Sequence, residues 1–371
     1  MRKIKKQREV LLKVLAVILA LFIFSVFLEI FVRVANLAPE KGLPPYMNIL
    51  DNDTGFKLNP GFTGIVRDAE YTNNINISSQ GHRDREFNYS KPEGTLRILA
   101  LGDSMQFGTG VEEEETYIKT FERELSKTYT VEVINAGVGG WSTKQELAYL
   151  KTEGIKFQPD VILLSYYVGN DLEENYYYKN KTYSIIGGYL IEQRPSAIVK
   201  ANWLIYRYCK SCLFTVRAVR NIAYTSSLSE AEKRSLEIEQ FIPEETEKKS
   251  AAWNETIETL IAFKAFAKEH DATFIVLILP HKLQVDSQVR NSIPVQNLDP
   301  LLPNKVLKNI SGIECLDSLD YNFSSSDYYF KIDGHINKKG HQAIANILTD
   351  YFINYKIISE KYQRPWEKTK E

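Results

Sequence analysis

Apolar and polar positions follow three regimes along this chain. Residues 2–13 are strongly basic, with Arg2, Lys3, Lys5, Lys6, Arg8 and Lys13. An apolar run from Val14 to Leu28 follows, broken only by Ser25, and Ile30, Phe31 and Val32 extend it past Glu29. Residues 10–32 therefore supply about 20 helical positions, the depth of a bilayer, with Lys13 and Arg33 able to snorkel. No polar face interrupts the run, as it would in a core helix. The basic cluster precedes the span, which predicts a retained anchor with a cytoplasmic N-terminus and the rest of the chain extracytoplasmic. A cleaved signal peptide is the alternative. It fits less well, because the apolar run is long and Asn36-Leu37-Ala38 makes a poor cleavage site.

Residues 37–95 form the second regime. Asp51-Asn-Asp-Thr-Gly55 and Asn59-Pro-Gly61 punctuate a loop-rich or short-stranded extension. Asp51 and Asp53 lack the later ligands of a calcium loop, so a plain turn is expected there.

From residue 96 apolar runs alternate with helical patterns. Leu96–Leu101, Val131–Ile134, Val161–Tyr167, Phe274–Leu279 and Gly312–Leu316 read as strands. Helices are expected around Tyr117, Ile118, Phe121 and Leu125, over about 142–153 and 247–269, and from Lys338 to about Tyr355. The third strand is continuous enough to be buried on both faces. This alternation predicts a parallel sheet covered on both sides. Residues 172–245, Tyr-rich and basic, break the rhythm and read as a partly helical insertion. The expected divisions are an anchor over 1–36, an extension over 37–95, and an α/β domain over 96–371.

Composition narrows the function classes. A formal net charge of −1 gives no basic face for nucleic acid. The spacing Cys209-Lys-Ser-Cys212 fits an incidental pair, a local disulfide or a redox half-site. It has no second cysteine pair and no suitably placed histidine for zinc. The 22 tyrosines suit either a sugar-binding surface or ordinary packing.

Open α/β sheets place their sites beyond the carboxyl ends of the strands. After the first strand comes Gly102-Asp103-Ser104, a tight turn that would leave Ser104 at the start of a helix, near backbone amides. After the second comes Asn135-Ala-Gly-Val-Gly-Gly140-Trp-Ser-Thr143, whose glycines allow close backbone approach and whose Ser142 or Thr143 suits an N-cap. After the third comes Gly169-Asn170-Asp171, with a side-chain amide. Before the last helix comes Asp333-Gly334-His335, a carboxylate beside one of five histidines. A serine hydroxyl needs an imidazole base oriented by a carboxylate. Each segment alone fits an ordinary turn; the four at one sheet edge supply nucleophile, oxyanion donors, base and orienter.

In this order the four segments resemble the sequence blocks of the SGNH (GDSL-like) hydrolase family, over about 96–356. Gly81-His-Arg-Asp84 and Arg97 resemble the lead-in of membrane-anchored relatives. The resemblance implies a three-layer α/β/α, flavodoxin-like fold with no metal or cofactor. It implies Ser104 as nucleophile and Ser104 N–H, Gly140 N–H and Asn170 as the oxyanion hole, with His335 as base and Asp333 as its orienter. The last block is Asp-x-His rather than the family's Asp-x-x-His, and resembles a subset of polysaccharide O-acetyltransferases and acetylesterases. Residues i and i+2 of an extended segment project to one side, so the pairing is feasible. His341, inside the last helix, reads as packing or surface.

These features lead to an esterase or acyltransferase that takes an acyl group, most simply acetyl, from an envelope or exported glycan or a lipid. Envelope acyl-donor or polysaccharide-assembly proteins are the partners expected beside the membrane. A lipase or lysophospholipase is the first rival, with Ile186, Leu190 and the Trp203–Tyr208 segment as lid candidates. A non-catalytic envelope protein that kept the fold is the second.

Overall fold

The computed structural model of the chain describes residues 2–35, 43–192, 208–212, 214–215, 235–293, 295, 297–355, 357–359 and 362–364. The chain divides into two units, one of residues 1–41 and 195–229, the other of 42–194 and 230–371.

In the first unit a single helix, α1 (Arg2–Val34), carries the apolar run. Its segment Arg8–Val34 is the one helix among the described residues long and apolar enough to cross a membrane. Those 27 residues rise about 40 Å, against about 30 Å of hydrocarbon. Near its carboxyl end Glu29 accepts the backbone N–H groups of Lys210 (2.9 Å) and Ser211 (2.8 Å). Cys209 and Cys212 form a disulfide, the local pairing that their spacing allowed. Most of the Trp203–Tyr208 lid candidate, somewhat less than half of the 172–245 insertion, and all of Asn36-Leu37-Ala38 lie outside the described residues.

The second unit begins with two antiparallel hairpins, β1 (Asn48–Asp51) with β2 (Gly55–Leu58) and β3 (Thr63–Arg67) with β4 (Thr72–Asn76). Asp51 closes the first turn by accepting from Thr54 N–H (3.1 Å) and pairing with Lys57 (2.7 Å). Next along the chain are β5 (Leu96–Gly102), α2 (Ser104–Phe107), α3 (Tyr117–Leu125), β6 (Val131–Gly137) and α4 (Thr143–Thr152). After them come β7 (Val161–Tyr167), α5 (Asp171–Tyr177) and the hairpin of β8 (Tyr183–Ile186) and β9 (Tyr189–Glu192). The chain continues with α6 (Glu247–Glu269), β10 (Thr273–Leu279), β11 (Glu314–Asp317) and α7 (Lys338–Asn354).

The central sheet is five-stranded and wholly parallel, in the order β6-β5-β7-β10-β11. Numbered within the sheet this is 2-1-3-4-5, the flavodoxin-like doubly wound order, so the fold is a three-layer α/β/α sandwich. Alternate residues of each strand feed two cores. Leu99, Leu101, Ile162, Leu164, Val276 and Ile278 face the layer of α4 and α6. Ile98, Ala100, Leu163, Ile275 and Leu277 face α3 and α7, which supply Phe121, Leu125, Ile344, Leu348 and Phe352. Two-sided burial explains why these strands read as continuous apolar runs.

Two expected boundaries shift. The second strand runs on to Gly137, because Asn135 and Ala136 pair with Ala100 and Leu101. The fifth starts at Glu314, since Gly312 turns with φ +71°. The rhythm also continues past residue 172, since α5 follows Asn170 directly. Of the lid candidates, Leu190 packs against the core and Ile186 lies in the β8–β9 hairpin.

Candidate active site

The switch point of a 2-1-3-4-5 sheet lies between its first and third strands, here β5 and β7. At its carboxyl edge Gly102 stands in register with Gly137 of β6 and Ser165 of β7. The turn of α2 is laid directly on these strand ends. A Cβ on Gly137 would stand 2.4 Å from Phe107 N and 2.7 Å from Gln106 C, so only glycine fits beneath this turn. Gln106 reaches down into the sheet. The hydroxyls of Tyr117 (2.6 Å) and Ser165 (2.8 Å) donate to its Oε1, and its Nε2 donates to Asn135 Oδ1 (3.1 Å).

From below, the Ser104 turn is held by Arg83, which is fully buried. Its guanidinium donates to the carbonyls of Phe107 (3.1 Å), Gly108 (2.7 Å), Val111 (2.7 Å) and Asn74 (3.1 Å). The neighbouring lead-in residues are structural as well. Buried His82 meets Tyr149 Oη at 2.5 Å. Asp84 joins Lys119 (2.8 Å) to Asn135 N–H (2.9 Å), and Arg97 pairs with Glu132 near the opposite, amino-terminal end of the sheet.

Ser104 is the first residue of α2, and Asp103 caps that helix by accepting Met105 N–H at 2.8 Å. Ser104 Oγ lies 2.8 Å from His335 Nε2. The other ring nitrogen of His335, Nδ1, is hydrogen-bonded to Asp333 Oδ1, and His335 N–H reaches the same oxygen at 2.8 Å. The three residues are thus joined in sequence, across 231 positions between Ser104 and His335. Burial alone would raise the Asp333 carboxyl. The hydrogen bond and charge of His335 outweigh it and hold Asp333 down at about 2, so this group is ionised at neutral pH.

Asn170 precedes α5, and its Nδ2 donates to Asp103 Oδ2 at 3.0 Å, which places the amide beside the Ser104 turn. The glycine facing Ser104 is Gly139, which the sequence did not single out. A Cβ there would stand 3.7 Å from Ser104 Cβ. Gly140 follows with φ +85°, and a Cβ on it would point to Phe56. Ser142 caps α4 in a capping box with Gln145. His341 is fully buried on the α3–α7 side, where its Nδ1 accepts Tyr117 N–H at 3.1 Å. It is a packing residue.

Two sets of residues at this site escaped sequence reasoning. One is Glu70 and Tyr71, from the turn between β3 and β4. Tyr71 Oη donates to Asp333 Oδ2 at 3.1 Å, and Glu70 accepts the N–H groups of Lys331 (2.7 Å), Ile332 (2.8 Å) and Asp333 (2.8 Å). The other is a set of fully buried carboxyls behind Ser104, namely Asp103, Glu146 and Asp171. Burial pushes all three upward. The mutual charges add to the rise for Glu146 and Asp171, while donors from Met105 and Asn170 oppose it for Asp103. No periodicity signals either set. The only clue was an acidic residue in each of two strand-end motifs, at Asp103 and Asp171.

Among the described residues no group of three or more His, Cys, Asp or Glu is arranged to hold a metal ion. The site joins a hydroxyl, an imidazole and a carboxylate in one line, with an amide nearby on Asp103.

No protein-family model and no curated protein sequence matches this chain. Solved structures similar to it include the lipase/acylhydrolase from Enterococcus faecalis, at 14% identity and TM-score 0.38, covering 73% of this chain and 98% of that one. A member of the lipolytic protein G-D-S-L family from Veillonella parvula has 13% identity and TM-score 0.38, covering 70% and 98%. A catalytic mutant of Axe2, an acetylxylan esterase from Geobacillus stearothermophilus, has 12% identity and TM-score 0.39, covering 72% and 97%. At these identities and scores, the fold assignment rests on the sheet order and register of this chain, and its chemistry on the side chains around Ser104.

Proposed function

We propose that this chain is a serine-dependent ester hydrolase or O-acyltransferase. Its substrate in this reading is an acyl, most simply acetyl, ester of an envelope or exported glycan. The observation that carries the proposal is the 2.8 Å contact of Ser104 Oγ with His335 Nε2, with Asp333 on the far ring nitrogen.

His335 takes the Ser104 proton as Oγ attacks the ester carbonyl. Three donors serve the tetrahedral oxyanion: Ser104 N–H, Gly140 N–H and Asn170 Nδ2. The alkoxide leaves with the proton held by His335, and an acyl-enzyme remains on Ser104. Water then releases the acid, or a sugar hydroxyl takes the acyl group, with His335 again the base. The glycan and the transfer option come from the Asp-x-His resemblance, which is analogy. The α1 segment serves as a single-pass anchor, with the second unit outside the cytoplasm.

A fluorophosphonate probe tests the core of this reading. Wild-type protein is expected to be labelled and Ser104→Ala is not. A Ser104→Ala variant that keeps labelling or esterase turnover sinks the assignment. Acetyl release compared with acetyl transfer to an oligosaccharide separates hydrolase from transferase. Protease protection of spheroplasts checks orientation, since an extracytoplasmic second unit must be digested from outside.

A further inference from the structure

We propose that Glu70 and Tyr71, from the hairpin of the N-terminal extension, are positioning residues for the Ser104–His335–Asp333 relay: they fix the loop and the carboxylate that orient His335. This rests on the reading of the chain as a serine enzyme and adds a requirement to it.

Asp333 and His335 sit at the tip of a short hairpin. Phe330 N–H donates to His335 O (3.1 Å), Tyr329 bridges Ile336, and Asn337 N–H donates to Tyr328 O (2.8 Å). The tip has little packing of its own, with Ile332 81% exposed and open space around the Gly334 Cα. Such a tip does not by itself hold a side chain to the tolerance that proton transfer demands.

The restraint comes from outside the loop. Three successive amides, of Lys331, Ile332 and Asp333, converge on the Glu70 carboxylate at 2.7–2.8 Å. Successive N–H groups turned to one side form an anion nest, and Glu70 fills it. Burial opposes the charge on Glu70, but these three amides and Lys282 hold its carboxyl below the ordinary range. Lys282 itself ties the carbonyls of Phe330 (2.6 Å) and Lys331 (2.8 Å).

Tyr71 acts one step nearer the chemistry. Its ring lies 4.8 Å from that of Phe330, and its hydroxyl holds Asp333 Oδ2 at 3.1 Å. Asp333 Oδ1 is then left to His335, from which it accepts both Nδ1–H and the backbone N–H. Each carboxylate oxygen has its own partner, so the carboxylate cannot rotate without losing Tyr71. The hydroxyl also draws charge from Oδ2 and so limits how strongly Asp333 stabilises the imidazolium.

The test uses the full-length protein in detergent and the rate of fluorophosphonate labelling as a function of pH, which requires no knowledge of the natural substrate. Tyr71→Phe keeps the ring and removes only the hydroxyl. It is expected to slow labelling about 10-fold, an intermediate value for a lost positioning contact. It is also expected to move the acidic limb of the pH profile upward, because Asp333 then stabilises the imidazolium more strongly. Glu70→Gln keeps an acceptor for the nest and should retain more activity than Glu70→Ala.

Tyr71→Phe with wild-type labelling and an unmoved acidic limb overturns the proposal. So does a loss that tracks a lower Tm in both Tyr71→Phe and Glu70→Gln with no movement of the limb, since that is a merely structural role. Failure of the wild type to label, or labelling of Ser104→Ala, overturns the serine-enzyme reading instead.

Discussion

Asn170 Nδ2 donates to Asp103 Oδ2 at 3.0 Å, so the amide proposed to hold the oxyanion is aimed by the residue just before Ser104. The Oδ1 of Asn170 is buried without a hydrogen-bond partner. The orientation of the amide therefore depends on Asp103 alone. Asn170→Ala should lower kcat about 10²–10³-fold, the usual effect of losing one oxyanion donor, with KM little changed. Asp103→Asn should cost nearly as much. One atom of the new amide can still cap Met105 N–H, but the other is a donor facing a donor, and Asn170 then flips to offer its oxygen. Steady-state kinetics on an acetyl ester checks both, and an Asp103→Asn enzyme with normal kcat would show that Asp103 does not aim the amide.

Gly137 tests how tightly the Ser104 turn is seated. A Cβ there would meet the backbone of Phe107 and Gln106, which cannot yield as a flexible side chain can. Gly137→Ala should lift α2 from the strand ends, destabilising the protein by about 1–3 kcal/mol, as overpacking does, and slowing labelling of Ser104. Gly94→Ala is the control for added bulk, since open space surrounds that position, although its φ of +72° carries its own strain. Thermal unfolding and labelling rates together make the comparison.

Arg83 is a buried cation with carbonyl acceptors rather than a carboxylate partner. Arg83→Met removes the guanidinium donor from the carbonyls of Phe107, Gly108, Val111 and Asn74, of which Gly108 keeps Val111 N–H at 3.3 Å. The expected cost is at least about 3 kcal/mol, given about 1–3 kcal/mol for each unsatisfied buried group and incomplete additivity. Arg83→Lys should recover only part of it, because one ammonium cannot span acceptors set out for a fork. Urea unfolding of the three proteins checks the ranking.

Two opposed pH effects should be separable by mutation. Burial holds His82 down at about 4 and, with the Arg83 and His335 charges, His341 at about 3, against 6.5 when free. The unfolded chain binds these protons first, so stability is lost as pH falls from about 6.5 to each folded value, by about 3 kcal/mol or more per histidine. Glu146 behaves in the opposite way. Burial, with Asp171 and Asp103 nearby, pushes it well above its ordinary 4.5. Its contribution is therefore full below pH 4.5 and lost as pH rises. His82→Gln should flatten the acid loss. Glu146→Gln should gain stability relative to wild type as pH rises above 4.5, because the amide never bears the cost of charging a buried group. Tm measured from pH 4 to 8 decides both, and a Glu146→Gln variant whose Tm difference from wild type does not grow with pH would contradict the upward shift of Glu146.

Much of this molecule was legible in local pattern. Strands buried on both faces announce themselves as unbroken apolar runs, as in Val161–Tyr167, and a 3.6-residue period marks α7. Because ligands gather at the carboxyl ends of such strands, Ser104 and Asn170 could be named from the turns just after β5 and β7, and His335 from the turn before α7. The close Gly139 contact with Ser104 was less legible. Adjacent glycines in one turn are equivalent in sequence, and only the backbone path tells which one faces Ser104.

Chain pattern alone determined the apolar N-terminal helix, the alternating elements and the strand-end motifs, because burial period and turn chemistry are encoded within a few residues. Only the tertiary structure decided the strand order, the 2.8 Å meeting of Ser104 with His335, and the grip of Glu70 and Tyr71 on a loop 262 residues away. Those contacts join hydrogen-bonding groups from distant segments, and such pairing leaves no periodic trace in either segment. It arises when sheet order and hairpin packing bring the two together.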